Sequence, residues 1–212
     1  NINPKKFSEF ALEAHKLGGD VVYIVDSAGS MLPDQISKYI NEIKNKSDKI
    51  KIGFHGHDNL GLATANSLKA FEMGADIVDA SLLGIGRGAG NTSIEKFVCT
   101  LLKLGVDLDI DPIKLMDVSE KYFETLNVNN GINSIDTISG LSSFHSSYMN
   151  IIQQYANKYQ VDPRKLIISV CNYNQIDAPI ELVEREAKKL ASYGLEDNWK
   201  WLYNKYFGSE QN

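Results

Sequence analysis

Cysteine is almost missing from this chain: Cys99 and Cys171 are the only two among 212 residues. They stand far apart, one inside a helical pattern and one ending an apolar run, which argues for reduced thiols and against a disulfide framework. No apolar run approaches membrane-spanning length and no signal-peptide pattern opens the chain, so a cytoplasmic protein without membrane contact is expected. No block of lysine and arginine interrupts a net charge of −5, which argues against nucleic acid as a partner. The first residue is Asn1 and not methionine, with a helical pattern directly behind it, so an upstream segment is expected. The rest is ordinary for a globular protein: 43% hydrophobic and 23% charged, long enough for one large core or two smaller ones.

The stretch richest in chemistry is Lys51-Ile52-Gly53-Phe54-His55-Gly56-His57-Asp58-Asn59-Leu60-Gly61. Ile50, Ile52 and Phe54 alternate with Lys51, Gly53 and His55, the period of a strand with one apolar side. His57 continues the His55 side. Residues i and i+2 rise by roughly 6.5–7 Å, and strand twist with a bend at Gly56 can bring the two imidazoles closer. A lone histidine is usually a structural hydrogen-bonding group. Two on one face at a strand end, beside Gly53 and Gly56, point to a metal ion or to catalysis. Asp58 is a natural cap for the helix that follows.

Along the rest of the first half, strands and helices alternate. Asn3-Pro4 opens a helix whose apolar stripe is Phe7, Phe10, Ala11, Ala14 and Leu17, ended by Gly18-Gly19, with His15 on solvated surface. Val21 to Val25 reads as a strand buried on both faces, as in parallel sheets. It stops at Asp26-Ser27-Ala28-Gly29, where α/β proteins place ligands, although Asp26 could instead hold the loop. A helix follows from Pro33 with Ile36, Tyr39, Ile40 and Ile43 inside. Another runs through Ala65, Leu68 and Phe71 to Gly74, and residues 76–81 form the next strand. Asp26, His55 and Asp79 recur at separations of 29 and 24 residues, the size of a strand-loop-helix unit. Gly84-Ile85-Gly86-Arg87-Gly88-Ala89-Gly90-Asn91 then leads into a helix bearing Phe97, Val98 and Leu101. Thr92-Ser93-Ile94-Glu95 reads as its capping box. That loop is a weak dinucleotide fingerprint and suits a carboxylate or carbonyl ligand equally well; Arg87 is either an anion partner or a surface cation.

Beyond Gly105 the pattern becomes mainly helical. Asp111-Pro112 starts one helix, residues 127–133 form a polar break, a long helix reaches Tyr159, and Asp162-Pro163 leads into the apolar run Leu166 to Val170. A charged amphipathic helix spans 181–193, and Trp199, Leu202, Tyr203 and Tyr206 suggest a last one. The expected division is an α/β domain over residues 1–110 and a mainly helical lobe over 111–212.

Taken together, Val25 to Gly29, the Gly53 to Ala63 segment with Asn66, and Gly84 to Asn91 resemble the second half of the HMG-CoA-lyase-like metal-dependent TIM barrels, the DRE-TIM metallolyases. Within that family the resemblance is strongest to the 4-hydroxy-2-oxovalerate aldolase branch, which carries a helical C-terminal lobe. The resemblance implies the C-terminal half of a (β/α)8 barrel. It implies a divalent cation, Mn²⁺ or Mg²⁺ with Zn²⁺ also open, on His55 and His57 with Asn91 at or near it. It implies Ser27 on a bound keto acid and an aldolase or lyase reaction through a pyruvate enolate. An acyl-CoA-using condensing enzyme of the same family and a noncatalytic assembly fragment are the alternatives.

The departures are informative. The Arg-Asp-Gly segment that opens the family's active site is not in this chain, so the base, the arginine and one metal ligand are expected elsewhere. Association with a missing N-terminal half or with a second copy follows from that expectation. The aldolases' tyrosine before Ser-Ser is replaced by His145, which can serve as proton donor or as packing. The basic segment after Val170 is replaced by Cys171-Asn172-Tyr173-Asn174, which weighs against an aldehyde dehydrogenase partner.

Overall fold

The structure is a computed structural model and describes residues 2–123 and 134–193. The polar break and the last predicted helix lie outside the described residues. The chain divides into two compact units, Asn1–Ile132 and Asn133–Asn212. The boundary therefore falls later than the expected 110/111. The reason is packing: α5 (Pro112–Phe123) lies against α4 (Ile94–Lys103), and the Ser119 hydroxyl donates to the buried Glu95 carboxylate.

The first unit is α/β, as its alternation predicts. Its order is α1 (Pro4–Lys16), β1 (Val21–Asp26), α2 (Pro33–Lys46), β2 (Lys51–Gly56), α3 (Ala63–Glu72), β3 (Ile77–Val78), α4, α5. The three strands are parallel in the order β1-β2-β3, with Val25 opposite His55, Asp26 opposite Gly56 and Phe54 opposite Val78. One sheet face carries Ile24, Ile52 and Phe54 into a core completed by Ile36, Ile40 and Ile43 of α2 with Ala11 and Ala70. Asn3 caps α1 through the Lys5 N–H at 2.9 Å, with Pro4 in the first turn as its sequence requires.

Three apolar stripes fall differently from their periodicity. In β1 only one face is covered: Ile24 is buried while Val25 is 49% exposed, because no described element of this unit lies over the Val25 side. α1 buries Ser8 and Ala11, whereas Phe10 is 48% and Leu17 84% exposed. That helix leans on α2 through the Phe7–Tyr39 edge contact, so its Phe10-Leu17 side turns away. α3 buries Ala63, Asn66, Ser67 and Ala70 and leaves Ala65 and Phe71 outside. Small side chains let that helix approach the sheet, and its buried polar groups find partners there: Asn66 Nδ2 donates to Met31 O at 2.7 Å, and Ser67 Oγ lies 2.8 Å from Thr92 Oγ1. His15 is half-buried and its Nδ1 meets Gly19 O at 3.0 Å, closing the end of α1 instead of sitting free in solvent.

The described regular elements of the second unit are all helical, chiefly α6 (Ser134–Ser142), α7 (Met149–Tyr159), α8 (Pro163–Cys171) and α9 (Ile180–Ala191). Ile152, Leu166, Ile167, Val170 and Val183 form its core. The apolar run Leu166 to Val170 is a buried helix segment started by Asp162, whose carboxylate accepts the Arg164 N–H at 2.9 Å. Burial pushes the Cys171 thiol up to about 11, which leaves it inert.

On the surface of this unit, Lys158 Nζ and Tyr159 Oη donate to Glu184 Oε1 at 2.9 and 2.6 Å. These donors lower the Glu184 carboxyl from its ordinary 4.5 to about 2, the Lys158 bond contributing most. A carboxyl whose folded pKa is depressed stabilises the fold above its unfolded value, and that contribution disappears as pH falls through the folded one. Thermal unfolding followed by circular dichroism is expected to show melting temperature falling between pH 4.5 and about 2 more steeply for the unsubstituted chain than for Glu184→Gln.

Candidate functional site

The carboxyl ends of the parallel strands meet in one cluster. His55 is the next-to-last residue of β2, and His57 follows one residue beyond it. Their ring centres are 5.1 Å apart at an interplanar angle of 72°. Between them Gly56 faces the Phe54 side, where a Cβ would stand 2.9 Å from the Phe54 ring. His57 is buried and pairs antiparallel with Asn91, and the Asp58 N–H donates to Gly90 O at 2.8 Å. The glycine loop is thereby sewn to the end of β2.

Asn91 brings its amide to the same place. Its Nδ2 donates to Ile85 O at 3.0 Å, while its Oδ1 is buried without a hydrogen-bond partner. Leaving a buried carbonyl oxygen unsatisfied costs about 1–3 kcal/mol unless something occupies it. His55, Asp79 and Asn91 line one cavity of about 580 Å³, whose far wall is apolar: Val78, Phe97, Val98 and Leu101.

The flanking loops hold the other candidates. Asp26 is buried, and its two carboxylate oxygens accept the N–H groups of Ser30 and Met31, each at 2.9 Å. Burial raises its pKa in spite of those donors. It thus holds the loop that carries Ser27, whose half-buried hydroxyl makes no hydrogen bond among the described residues. Arg87 is exposed, and its guanidinium has no ion-pair partner among the described residues. His145 belongs to the second unit, where its Nδ1 accepts the Ser147 N–H at 3.1 Å.

The glycine loop is not an open anion cradle. The N–H groups of Ala89, Gly90 and Asn91 are taken by Asn59 Oδ1, Arg87 O and Gly84 O. Nor is Thr92 the cap of α4. Ser93 takes that place, its Oγ accepting the Lys96 N–H, because Thr92 is drawn inward to Ser67. Glu95 reaches back to the Leu83 N–H at 2.9 Å and accepts the Ser93 and Ser119 hydroxyls. Burial pushes its pKa up, but those donors outweigh it and the net shift is downward.

Sequence reasoning assigned no role to three residues at this site. Asn59, directly after His57-Asp58, joins the Ser27 loop to the glycine loop: its Nδ2 donates to Ala28 O at 3.1 Å and its Oδ1 accepts the Ala89 N–H at 3.0 Å. Asn59→Ala is expected to loosen both loops and lower stability by about 1–2 kcal/mol, the loss of two hydrogen bonds. Thermal unfolding followed by circular dichroism would measure it. Asp79 and Tyr23 are the other two. The recurrence of Asp79 at a strand end was the available signal for the first; nothing local marked Tyr23.

The donors present suit a divalent cation in part. With bonds of about 2.1 Å to each imidazole nitrogen, two rings roughly at right angles about one ion have centres some 5 Å apart, near the observed spacing. Hard and borderline cations also accept an amide oxygen such as that of Asn91. Among the described residues no group of three or more His, Cys, Asp or Glu side chains converges as a complete ligand set.

These features define a parallel α/β chain that gathers imidazoles, an unpartnered amide oxygen and hydroxyl- and guanidinium-bearing loops at the carboxyl ends of its strands, where α/β proteins place their sites. The HMGL-like family model matches residues 1–121, and the chain belongs to that family. It is 37% identical over 170 residues to a 4-hydroxy-2-oxovalerate aldolase of Geobacillus genomosp. 3, an alignment covering 80% of this chain and 50% of that protein. It is 34% identical over 196 residues to the 4-hydroxy-2-oxovalerate aldolase of Pseudomonas putida, covering 90% and 56%. The chain spans about half the length of these curated relatives. The carboxyl transferase domain of Rhizobium etli pyruvate carboxylase, solved with pyruvate, shares the fold at a TM-score of 0.70 and 19% identity, over 91% of this chain and 35% of that one. Among the described residues no helix is long and apolar enough to cross a membrane.

Proposed function

We propose that this chain is the C-terminal half-barrel and helical lobe of a divalent-metal-dependent aldolase that cleaves or forms the carbon–carbon bond of a 4-hydroxy-2-keto acid. The observation that carries the reading is the pair of imidazoles at 5.1 Å beside the unpartnered Asn91 oxygen, in a chain whose relatives are named 4-hydroxy-2-oxovalerate aldolases. His55, His57 and Asn91 would hold Mn²⁺ or Mg²⁺, with Zn²⁺ as a further candidate. When bound, the cation supplies Lewis acidity toward the keto group and charge stabilisation for a pyruvate enolate.

The chain's own residues do the rest of the binding and positioning. The Ser27 hydroxyl donates to a keto-acid oxygen, and Arg87 pairs with the carboxylate. Asp26 and Asn59 keep those two loops in place. His145 is proposed as a proton donor, for the enolate that cleavage leaves; its Nδ1 accepts the Ser147 N–H at 3.1 Å.

The test joins this chain to the N-terminal half of the Pseudomonas putida relative and follows pyruvate release from 4-hydroxy-2-oxovalerate against added Mn²⁺. Metal-stimulated release that disappears in His55→Ala is the expected result; release indifferent to both would refute the reading. A second reading, a noncatalytic assembly module, is favoured by the open Val25 face of the sheet and by exposed Phe10 and Leu17. On that reading the chain alone self-associates and releases no pyruvate. Sedimentation as a clean monomer with full turnover would exclude it.

A further inference from the structure

We infer that Asp79 and Tyr23 form a positioning pair that presents His55 to the cation; the inference rests on the metal reading above. His55 Nδ1 lies 3.2 Å from Asp79 Oδ2, and the Tyr23 hydroxyl donates to Asp79 Oδ1 at 3.3 Å. Both carboxylate oxygens are thereby engaged, one by His55 of the adjacent strand β2 and one by Tyr23 of β1 beyond it, so Asp79 is placed to orient a ligand more than to be one. A carboxylate can only accept, so the His55 proton belongs on Nδ1, and the lone pair on Nε2 is left for a metal ion.

The three parallel strands each supply one member. Tyr23 comes from β1, His55 from β2, and Asp79 directly follows β3, all on the side of the sheet opposite the Phe54 core. Gly53 makes the arrangement possible. It stands opposite Tyr23 in the register, and a Cβ on it would meet the Tyr23 ring at 2.6 Å. The missing side chain is the space through which the phenol crosses β2 to reach Asp79. The Asp79 carboxylate also raises the Tyr23 pKa, after burial, so the phenol stays a donor.

The test reads the metal-free chain first. Long-range ¹⁵N–¹H correlation spectra of the full chain are expected to show His55 protonated at Nδ1, and a mixture of tautomers in Asp79→Ala. Mn²⁺ titration followed by electron paramagnetic resonance is expected to show affinity falling 10–100-fold in Asp79→Ala, the usual range for such partners. A smaller loss is expected in Tyr23→Phe, and partial recovery in Asp79→Asn, whose carbonyl oxygen still accepts from Nδ1. Tyr23→Phe keeps the ring over Gly53 and serves as the variant least able to disturb folding. If the unsubstituted chain binds Mn²⁺ and His55→Ala does not, while Asp79→Ala keeps both tautomer and affinity, the positioning role is overturned and the metal reading stands. If the unsubstituted chain takes up no Mn²⁺ even when joined to the N-terminal half of the Pseudomonas putida relative, the metal reading falls and this inference with it.

Discussion

His55→Ala is expected to weaken Mn²⁺ binding by more than about a hundredfold, beyond the 10–100-fold that loss of a supporting partner brings, and His57→Ala to do the same. Each substitution removes one of two imidazoles whose ring centres are 5.1 Å apart, leaving a single nitrogen with the Asn91 oxygen. His55 lies on the open side of the sheet, so its loss should hardly change the stability of the fold. His57 is buried, so His57→Ala is expected to lower the melting temperature as well. An unchanged melting temperature with weakened Mn²⁺ affinity in His55→Ala is the result expected from circular dichroism and spin-resonance titration together. Unchanged affinity in both variants would show that the two rings do not bind the ion.

The second large effect is expected at Gly90, where backbone conformation and packing act together. Its φ is +98°, and a Cβ there would come within 2.1 Å of Gly84 O, a backbone atom that cannot rotate aside. Gly90→Ala therefore carries the cost of a left-handed non-glycine residue, about 1–3 kcal/mol, plus whatever opening the loop requires. Opening it separates the Asn91 N–H from Gly84 O and loosens the Asp58–Gly90 bond that ties the loop to the end of β2. The expected outcome is a lowered melting temperature together with loss of Mn²⁺ affinity, even though residue 90 touches no ligand. Gly61→Ala is the control. It also has positive φ, +71°, but its Cβ would meet nothing within 4 Å, so a stability loss without a metal effect is expected there.

The comparison of these two glycines shows where local sequence stops being informative. Both look like loop glycines. Only the return of Asn91 onto Gly84 makes one of them part of the site. The same holds for Asp79, which periodicity places at a strand end without saying that His55 would lie beside it. Apolar stripes were misleading where small or polar residues did the packing: α3 turned Ser67 and Asn66 inward because Thr92 and the Met31 carbonyl waited there. In β1 a run of apolar residues suggested two covered faces, and a single layer of helices covers one.

The sequence by itself determined the alternation of strands and helices, the parallel α/β class of the first unit, the helical character of the second, the cap at Asn3, and the pair His55-His57 at a strand end. These follow from periods of two and 3.6 residues and from the few residue types that start and stop helices, all short-range properties of the chain. Tertiary structure alone decided that the rings face each other at 5.1 Å, that the Asn91 oxygen is left without a partner, that Asn59 joins two loops, and that Tyr23 reaches Asp79 across Gly53. Those relations join residues up to 56 positions apart, and a distance between such residues is set by how strands register and helices pack, which no local pattern encodes.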